Sequence, residues 1–268
     1  MEIRTAESEL DAIYGFYKDI TENYSNCAYA IGRVGHFRDQ ISIIDENGNK
    51  LNELFTNYLM DLRGMNSFPL VVPDDKYQKH GGIEVYRGEL SYEYAKKLAD
   101  NWTYHYGTGN FGEGIYTTNS QRRAFYFSKG IGKDDSYVYK FKINENAKVL
   151  DYDSYNNLME YFQYNTRRWG KRKAQISGFD DEVLMKLDAL IDFVNEKKDK
   201  NFTAKFVKGK HKLQSNALAV YLGFDAIEVD DDYFISDFVV LNRGALILSE
   251  SEKDRIIKLQ EQNELKER

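Results

Sequence analysis

Residues 107–128, GTGNFGEGIYTTNSQRRAFYFS, carry the stretch on which the fold turns. Gly107, Gly109, Gly112 and Gly114 put four glycines into eight residues, which lets backbone approach a ligand closely. The run then enters Ile115-Tyr116-Thr117-Thr118, β-branched and aromatic and therefore strand-like. SQRRAFYFSKG (120–130) reads as a helix. Because the glycines lead into a strand and not a helix, this is not a dinucleotide fingerprint, and no Gly-Lys-Ser/Thr follows to make a Walker loop. Taken alone, the glycines support only a flexible hairpin.

Upstream, GGIEVYRGEL (81–90) reads as a strand entering a turn, and SYEYAKKLAD (91–100) as a short helix capped by Ser91. Residues 6–24 space Leu10, Ile13, Tyr14, Tyr17 and Ile20 at helical intervals, and 50–63 do the same with Leu51, Leu54, Phe55, Tyr58, Leu59 and Leu62. Between them lie AYAIG and ISIID, followed by the turn DENGN. SFPLVVPDDK holds both prolines, Pro69 and Pro73, and reads as a linker with a boundary near residue 75.

Downstream, 136–143 and 147–152 read as strands and 154–200 as mostly helical. Residues 214–223 form a helix stopped by Gly223, 224–229 and 237–248 are the last strands, and a polar helix capped by Ser249 ends the chain. Strands separated by helices and long loops without regular βαβ spacing predict an α+β fold. The expected organisation is a helical subdomain over 1–75, a main domain over 76–250 and a polar helix over 251–268.

Apolar residues make up 42% of the 268, enough for a buried core, and charged residues 30%. With a mean hydropathy of -0.64 and no apolar run near the roughly 20 residues of a membrane span, no membrane role is expected. A lone cysteine, Cys27, and a charged start without an apolar leader predict a reducing, cytoplasmic setting. The net charge of -6 gives no global basic field for nucleic acid. Two local clusters remain: Arg167, Arg168, Lys171, Arg172 and Lys173 around Trp169, and Lys205, Lys208, Lys210 and Lys212. Basic residues beside an aromatic suit a single strand of nucleic acid, and equally a solvated helix face. His36, His80, His105 and His211 have no ligand spacing, so no metal is expected.

Three segments in order, VYRG (85–88), FGEGIYTT (111–118) with Ala124 and Tyr126, and GFDAI (223–227) with DFVVLNRG (237–244), resemble the ADP-ribosyltransferases. The likeness covers roughly residues 80–250 and is closest to a toxin-like and phage-encoded branch. With the strand order, it implies two packed, mostly antiparallel sheets, a split β-sandwich around an NAD cleft.

The resemblance also assigns roles. Arg87 would bind the NAD phosphates or the nicotinamide-side ribose, and the Gly88 backbone the carboxamide. Tyr116 and Tyr126 would sandwich the nicotinamide ring, with Thr117 and Thr118 in support. Asp237 would stand where the family has its catalytic glutamate. A fixed anion there stabilises the oxocarbenium ion formed as the N-glycosidic bond breaks.

Two departures matter. Aspartate is one methylene shorter than glutamate, and Ile235 occupies the position two residues earlier, where protein-modifying toxins carry Gln or Glu. Glu228, Asp230, Asp231 and Asp232 are rival carboxylates. The implied activity is transfer of ADP-ribose from NAD to a macromolecular acceptor, a protein side chain or a nucleic acid base, by a toxin or defence factor restrained by an inhibitory, antitoxin-like protein. The alternatives are a catalytically degenerate binding module and an NAD glycohydrolase.

Overall fold

The structure, a computed structural model, describes residues 6–23, 28–34, 37–44, 51–89, 107–109, 111–128, 138–167, 176–206, 216–232 and 235–266. The helix expected at 91–100, His36, His105, His211, Cys27, and most of both basic clusters lie outside these residues. The architecture is α+β, and the chain divides into two compact units.

The first unit comprises Met1–Arg63, Thr108–Glu113 and Asp153–Gly223. Its helices are α1 (Glu9–Asn23), α2 (Leu51–Leu62), most of α5 (Tyr152–Arg167), α6 (Asp181–Lys197), α7 (Lys200–Ala204) and α8 (Ala217–Leu222). Residues 1–75, expected as a helical subdomain, also carry strands. β1 (Ala28–Val34) and β2 (Phe37–Ile44) form an antiparallel hairpin with Ala28 opposite Ile44. The physical reason is composition: AYAIGRV and FRDQISII are rich in β-branched and aromatic residues and lack the helical period that marks their neighbours.

The core of this unit is aromatic. Phe202 is fully buried, with the rings of Tyr14, Tyr17 and Phe206 centred 5.0, 5.2 and 5.4 Å away. The periodic residues Ile13, Tyr17 and Ile20 of α1 and Phe55 and Leu59 of α2 are all buried.

Asp199 fixes the start of α7, its carboxylate accepting from the Asn201 and Phe202 backbone at 3.0 Å each. It also meets the Lys18 ammonium at 3.3 Å. Burial by itself would raise the Asp199 pKa, but the Phe202 N–H and Lys18 outweigh it and hold the carboxyl below its ordinary value. Asp199→Ala is expected to cost about 1–2 kcal/mol, read by urea denaturation. Because the folded pKa is depressed, that contribution is complete above the ordinary carboxylate range and is lost as pH falls through the folded value. The gap between wild type and variant should therefore close in acid, and a gap constant from neutral to acid pH would contradict this role.

The second unit comprises Gly64–Gly107, Gly114–Tyr152 and Phe224–Arg268. Its strands are β3 (Leu70–Val72), β4 (Ile83–Gly88), most of β6 (Gly112–Thr118), β7 (Val138–Ile143), β8 (Val149–Asp151), β9 (Ala226–Asp232), β10 (Ile235–Val240) and β11 (Leu246–Ser249). The sheet order is β3-β11-β7-β4-β6-β10-β9-β8, and β5 (Gly107–Gly109) adds to β6. β3–β11 and β8–β9 pair in parallel, and the remaining pairs along this order are antiparallel. Its helices are α3 (Asp74–Lys79), α4 (Gln121–Ser128) and α9 (Glu250–Lys266).

The strands expected in two sheets are joined by hydrogen bonds into one. The join is narrow: β4 and β6 pair only at Tyr86↔Thr118, whereas β4 and β7 pair along Ile83–Gly88.

Two further expectations are corrected. The linker around 68–76 contains β3, whose three residues lie between Pro69 and Pro73 at the edge of the sheet. Proline is tolerated beside an edge strand because no ladder donor is lost there. The strand expected over 237–248 is two strands. Asn242 breaks it: its side chain accepts from Gly244 N at 2.9 Å and donates to Asp225 at 2.7 Å, closing a 3₁₀ turn over Arg243–Ala245. Ser249 caps α9 as expected, accepting from Glu252 N at 3.1 Å.

Candidate functional site

β4, β6 and β10, which bring Arg87, Tyr116 and Asp237, are consecutive strands of the sheet. Residues directly opposite in a ladder share a face, and neighbours along a strand alternate. Tyr86 faces Thr118, Thr118 faces Asp237, and Asp237 faces Val229, so these four form one row on one face. Tyr116, opposite Val239, lies on that same face two residues further along. Thr117, Phe238 and Glu228 form a row on the other face. By alternation from Tyr86, Arg87 also points away from the Asp237 face.

Arg87 is buried, with only 8% of its side chain accessible. Its Nε donates to Glu89, itself 3% accessible, in a buried ion pair, and its Nη1 donates to the Tyr116 carbonyl at 3.1 Å. The guanidinium thereby ties β4 to β6 beyond their single ladder pair.

Gly88 is needed for packing. A Cβ there would lie 1.9 Å from the Ala124 carbonyl oxygen and 3.2 Å from Ser128 N. The missing side chain lets α4 rest directly on β4, on the face shared by Tyr86 and Asp237. α4 buries Ala124 and Ser128, one turn apart, and exposes Phe125, Tyr126 and Phe127. Tyr126 is 55% accessible, with the Arg122 guanidinium 6.0 Å from its ring centre.

From α4, Arg123 reaches across to Asp237, with its Nη2 2.6 Å from Oδ2. Their side chains keep 19% and 15% of their surface, more than those of the Arg87–Glu89 pair, although Asp237 Oδ1 and Arg123 Nε are themselves buried. The arrangement offers an anion, a cation and a tyrosine on one sheet face. It can accept a hydroxyl hydrogen bond, stabilise positive charge beside the carboxylate, and hold an anionic group on the guanidinium.

Of the rival carboxylates, Glu228 lies opposite Phe238, on the face away from Asp237. Asp230 and Asp232 stand in register with Ser236 and Ile235, beyond Asp237, beside a bulge at Ile235 and Ser236. At one end of the row, Tyr86 donates to Glu84, which pairs with Lys140 at 2.7 Å. Burial and then the Glu84 carboxylate push the Tyr86 phenol up to about 12. His80 lies before β4, with its carbonyl accepting from Lys142 at 2.8 Å. Among the described residues, no group of three or more His, Cys, Asp or Glu is arranged to hold a metal, and no helix is long and apolar enough to cross a membrane.

Glu89 and Arg123 are not among the residues singled out by the sequence. Glu89 was legible only as a charge two residues from Arg87, just past the end of β4. Arg123 was not, since nothing in Gln121-Arg122-Arg123-Ala124 separates the arginine that meets Asp237 from the one in solvent.

No protein-family model matches this chain, and neither a curated protein nor a solved structure does.

Proposed function

We propose that this chain is an ADP-ribosyltransferase, cleaving the nicotinamide–ribose bond of NAD and passing ADP-ribose to a protein side chain or nucleic acid base. The observation that carries the reading is the adjacency of β4, β6 and β10. Three sequence segments far apart in the chain, each resembling a piece of one family's site, lie side by side in the sheet. The single β4–β6 pair supports a split sandwich, with β3-β11-β7-β4 as one half and β6-β10-β9-β8 as the other.

In this reading Asp237 is the catalytic carboxylate, and Tyr116 and Tyr126 stack on nicotinamide. Asp237 and Arg123 fit the substrate, being charged and partly open to solvent. The Arg87 guanidinium is neutralised by Glu89 and supports the Tyr116 strand, so its part is positioning. NAD is the substrate and no metal takes part. The biological role is that of a cytoplasmic toxin or defence factor, held in check by a separate inhibitory protein.

The test is incubation of the protein with radiolabelled NAD and total cell lysate, followed by separate protease and nuclease digestion. Label that becomes soluble on one digestion names the acceptor class, and release of nicotinamide without transfer makes it a glycohydrolase. No consumption of NAD with any lysate would reject the enzyme. One observation favours a second reading, a binding module: both Arg87 and Asp237 are engaged by opposite charges, Glu89 and Arg123.

A further inference from the structure

The Arg123–Asp237 pair presents a difficulty that also suggests its use. A carboxylate acts on a developing cation through its own charge, and a guanidinium at 2.6 Å offsets that charge. An enzyme resting in this arrangement has its anion masked. The mask is held by a side chain from a different element: Arg123 belongs to α4, whereas Asp237 is the third residue of β10, a strand paired on both sides. Both side chains retain part of their surface, although Asp237 Oδ1 and Arg123 Nε are buried, so a ligand would meet the pair from its exposed side. The Arg87–Glu89 pair differs on each count, lying buried with its two members two residues apart at the end of β4.

We propose that the Arg123–Asp237 ion pair is a latch operated by substrate. The phosphates of a dinucleotide draw the Arg123 guanidinium off Asp237, and the carboxylate is released at the moment the ribose arrives. This rests on the function proposed above and names the regulation of its site.

The exchange is chemically matched. A guanidinium presents a planar fork of donors that fits a phosphate as well as a carboxylate, and a pyrophosphate brings more negative charge than one aspartate. Lost pairing with Asp237 is thus replaced by pairing with ligand, and no covalent step is involved. Arg122, exposed one residue earlier, adds a second cation on the same helix. Tyr126 lies three residues beyond Arg123, adjacent on the helix surface, so a ligand phosphate on Arg123 is next to an exposed aromatic ring. Substrates without phosphate cannot draw the latch, so the device ties unmasking of the carboxylate to a nucleotide.

The test is calorimetric titration with ADP, which carries the phosphates but cannot be turned over. Asp237→Asn removes the competitor for Arg123 and should tighten ADP binding about ten-fold, whereas Arg123→Gln should weaken it by a similar factor. Arg123→Lys, which keeps the charge, should fall between Arg123→Gln and wild type. In the double variant the gain from Asp237→Asn should vanish, because that gain needs Arg123.

A pair that only braces the fold would weaken ADP binding in both single variants, and that result overturns the latch. So does unchanged affinity in Asp237→Asn. The binding pattern is read without turnover, so the two proposals fail separately. NAD cleavage without the pattern removes the latch and leaves the enzyme. The pattern without NAD cleavage removes the enzyme and leaves the latch in a nucleotide-binding protein.

Discussion

Asp237→Asn is expected to lower ADP-ribose transfer by about 10²–10³-fold, the usual scale for losing one preorganised contact to a transition state. The substitution keeps the shape of the side chain and removes its charge. The asparagine carbonyl can still accept from Arg123, so the denaturation midpoint should move little while turnover collapses. The loss should fall on kcat, because the carboxylate acts on charge that appears only as the glycosidic bond breaks.

Register supplies the control. Glu228, opposite Phe238, is the rival carboxylate on the other face of β9 and β10, so Glu228→Gln should leave turnover near wild type. The reverse outcome, with Asp237→Asn active and Glu228→Gln dead, would place the chemistry on the Thr117–Phe238 face and sink this site. Asp237→Glu probes the missing methylene. With Arg123 already 2.6 Å from the aspartate, the longer side chain must displace the guanidinium. Activity above wild type would mean that the site is short of reach, and activity below it would mean that the backbone is set for aspartate.

The sequence made the helices legible because each shows its face locally. In α1, Ile13, Tyr17 and Ile20 recur at helical spacing and are buried, and in α2 Phe55 and Leu59 do the same. Gly223 and Ser249 mark their helix ends because a left-handed stop, φ +88°, and a side-chain cap are single-residue events. What stayed hidden depends on partners distant in the chain. β3 has three residues between prolines and is a strand only because β11 lies beside it. The break at Asn242 depends on Asp225, and the hairpin of β1 and β2 depends on pairing between two short runs.

The candidate site divides in the same way. That Arg87, Tyr116 and Asp237 belong to one site was implied only by the resemblance of their three segments to one family. That Arg87 pairs with Glu89, and that Asp237 is met by Arg123 from α4, required the packing of that helix on β4.

Gly88 decides what that packing is worth, and Gly88→Ala is expected to damage both stability and activity. The family resemblance offers one account of this glycine, in which its backbone bonds the nicotinamide carboxamide. The packing offers another: the added Cβ would sit 1.9 Å from the Ala124 carbonyl oxygen, a backbone atom that cannot rotate aside. To restore ordinary contact, α4 must retreat by about 1.5 Å or the β4 edge must bend. Overpacking of this kind costs about 1–3 kcal/mol, and more where the obstacle is backbone. The retreat carries Arg123 away from Asp237 and moves Tyr126 with it, and a displacement of about 1 Å at reacting groups can cost 10²-fold in rate. Urea denaturation, ADP affinity and NAD turnover should therefore all be impaired. If the glycine serves only to admit ligand, alanine would leave the denaturation curve unchanged and weaken NAD alone. An unchanged midpoint in Gly88→Ala would mean that α4 does not rest on β4 through this residue, and the placement of Arg123 against Asp237 would lose its support.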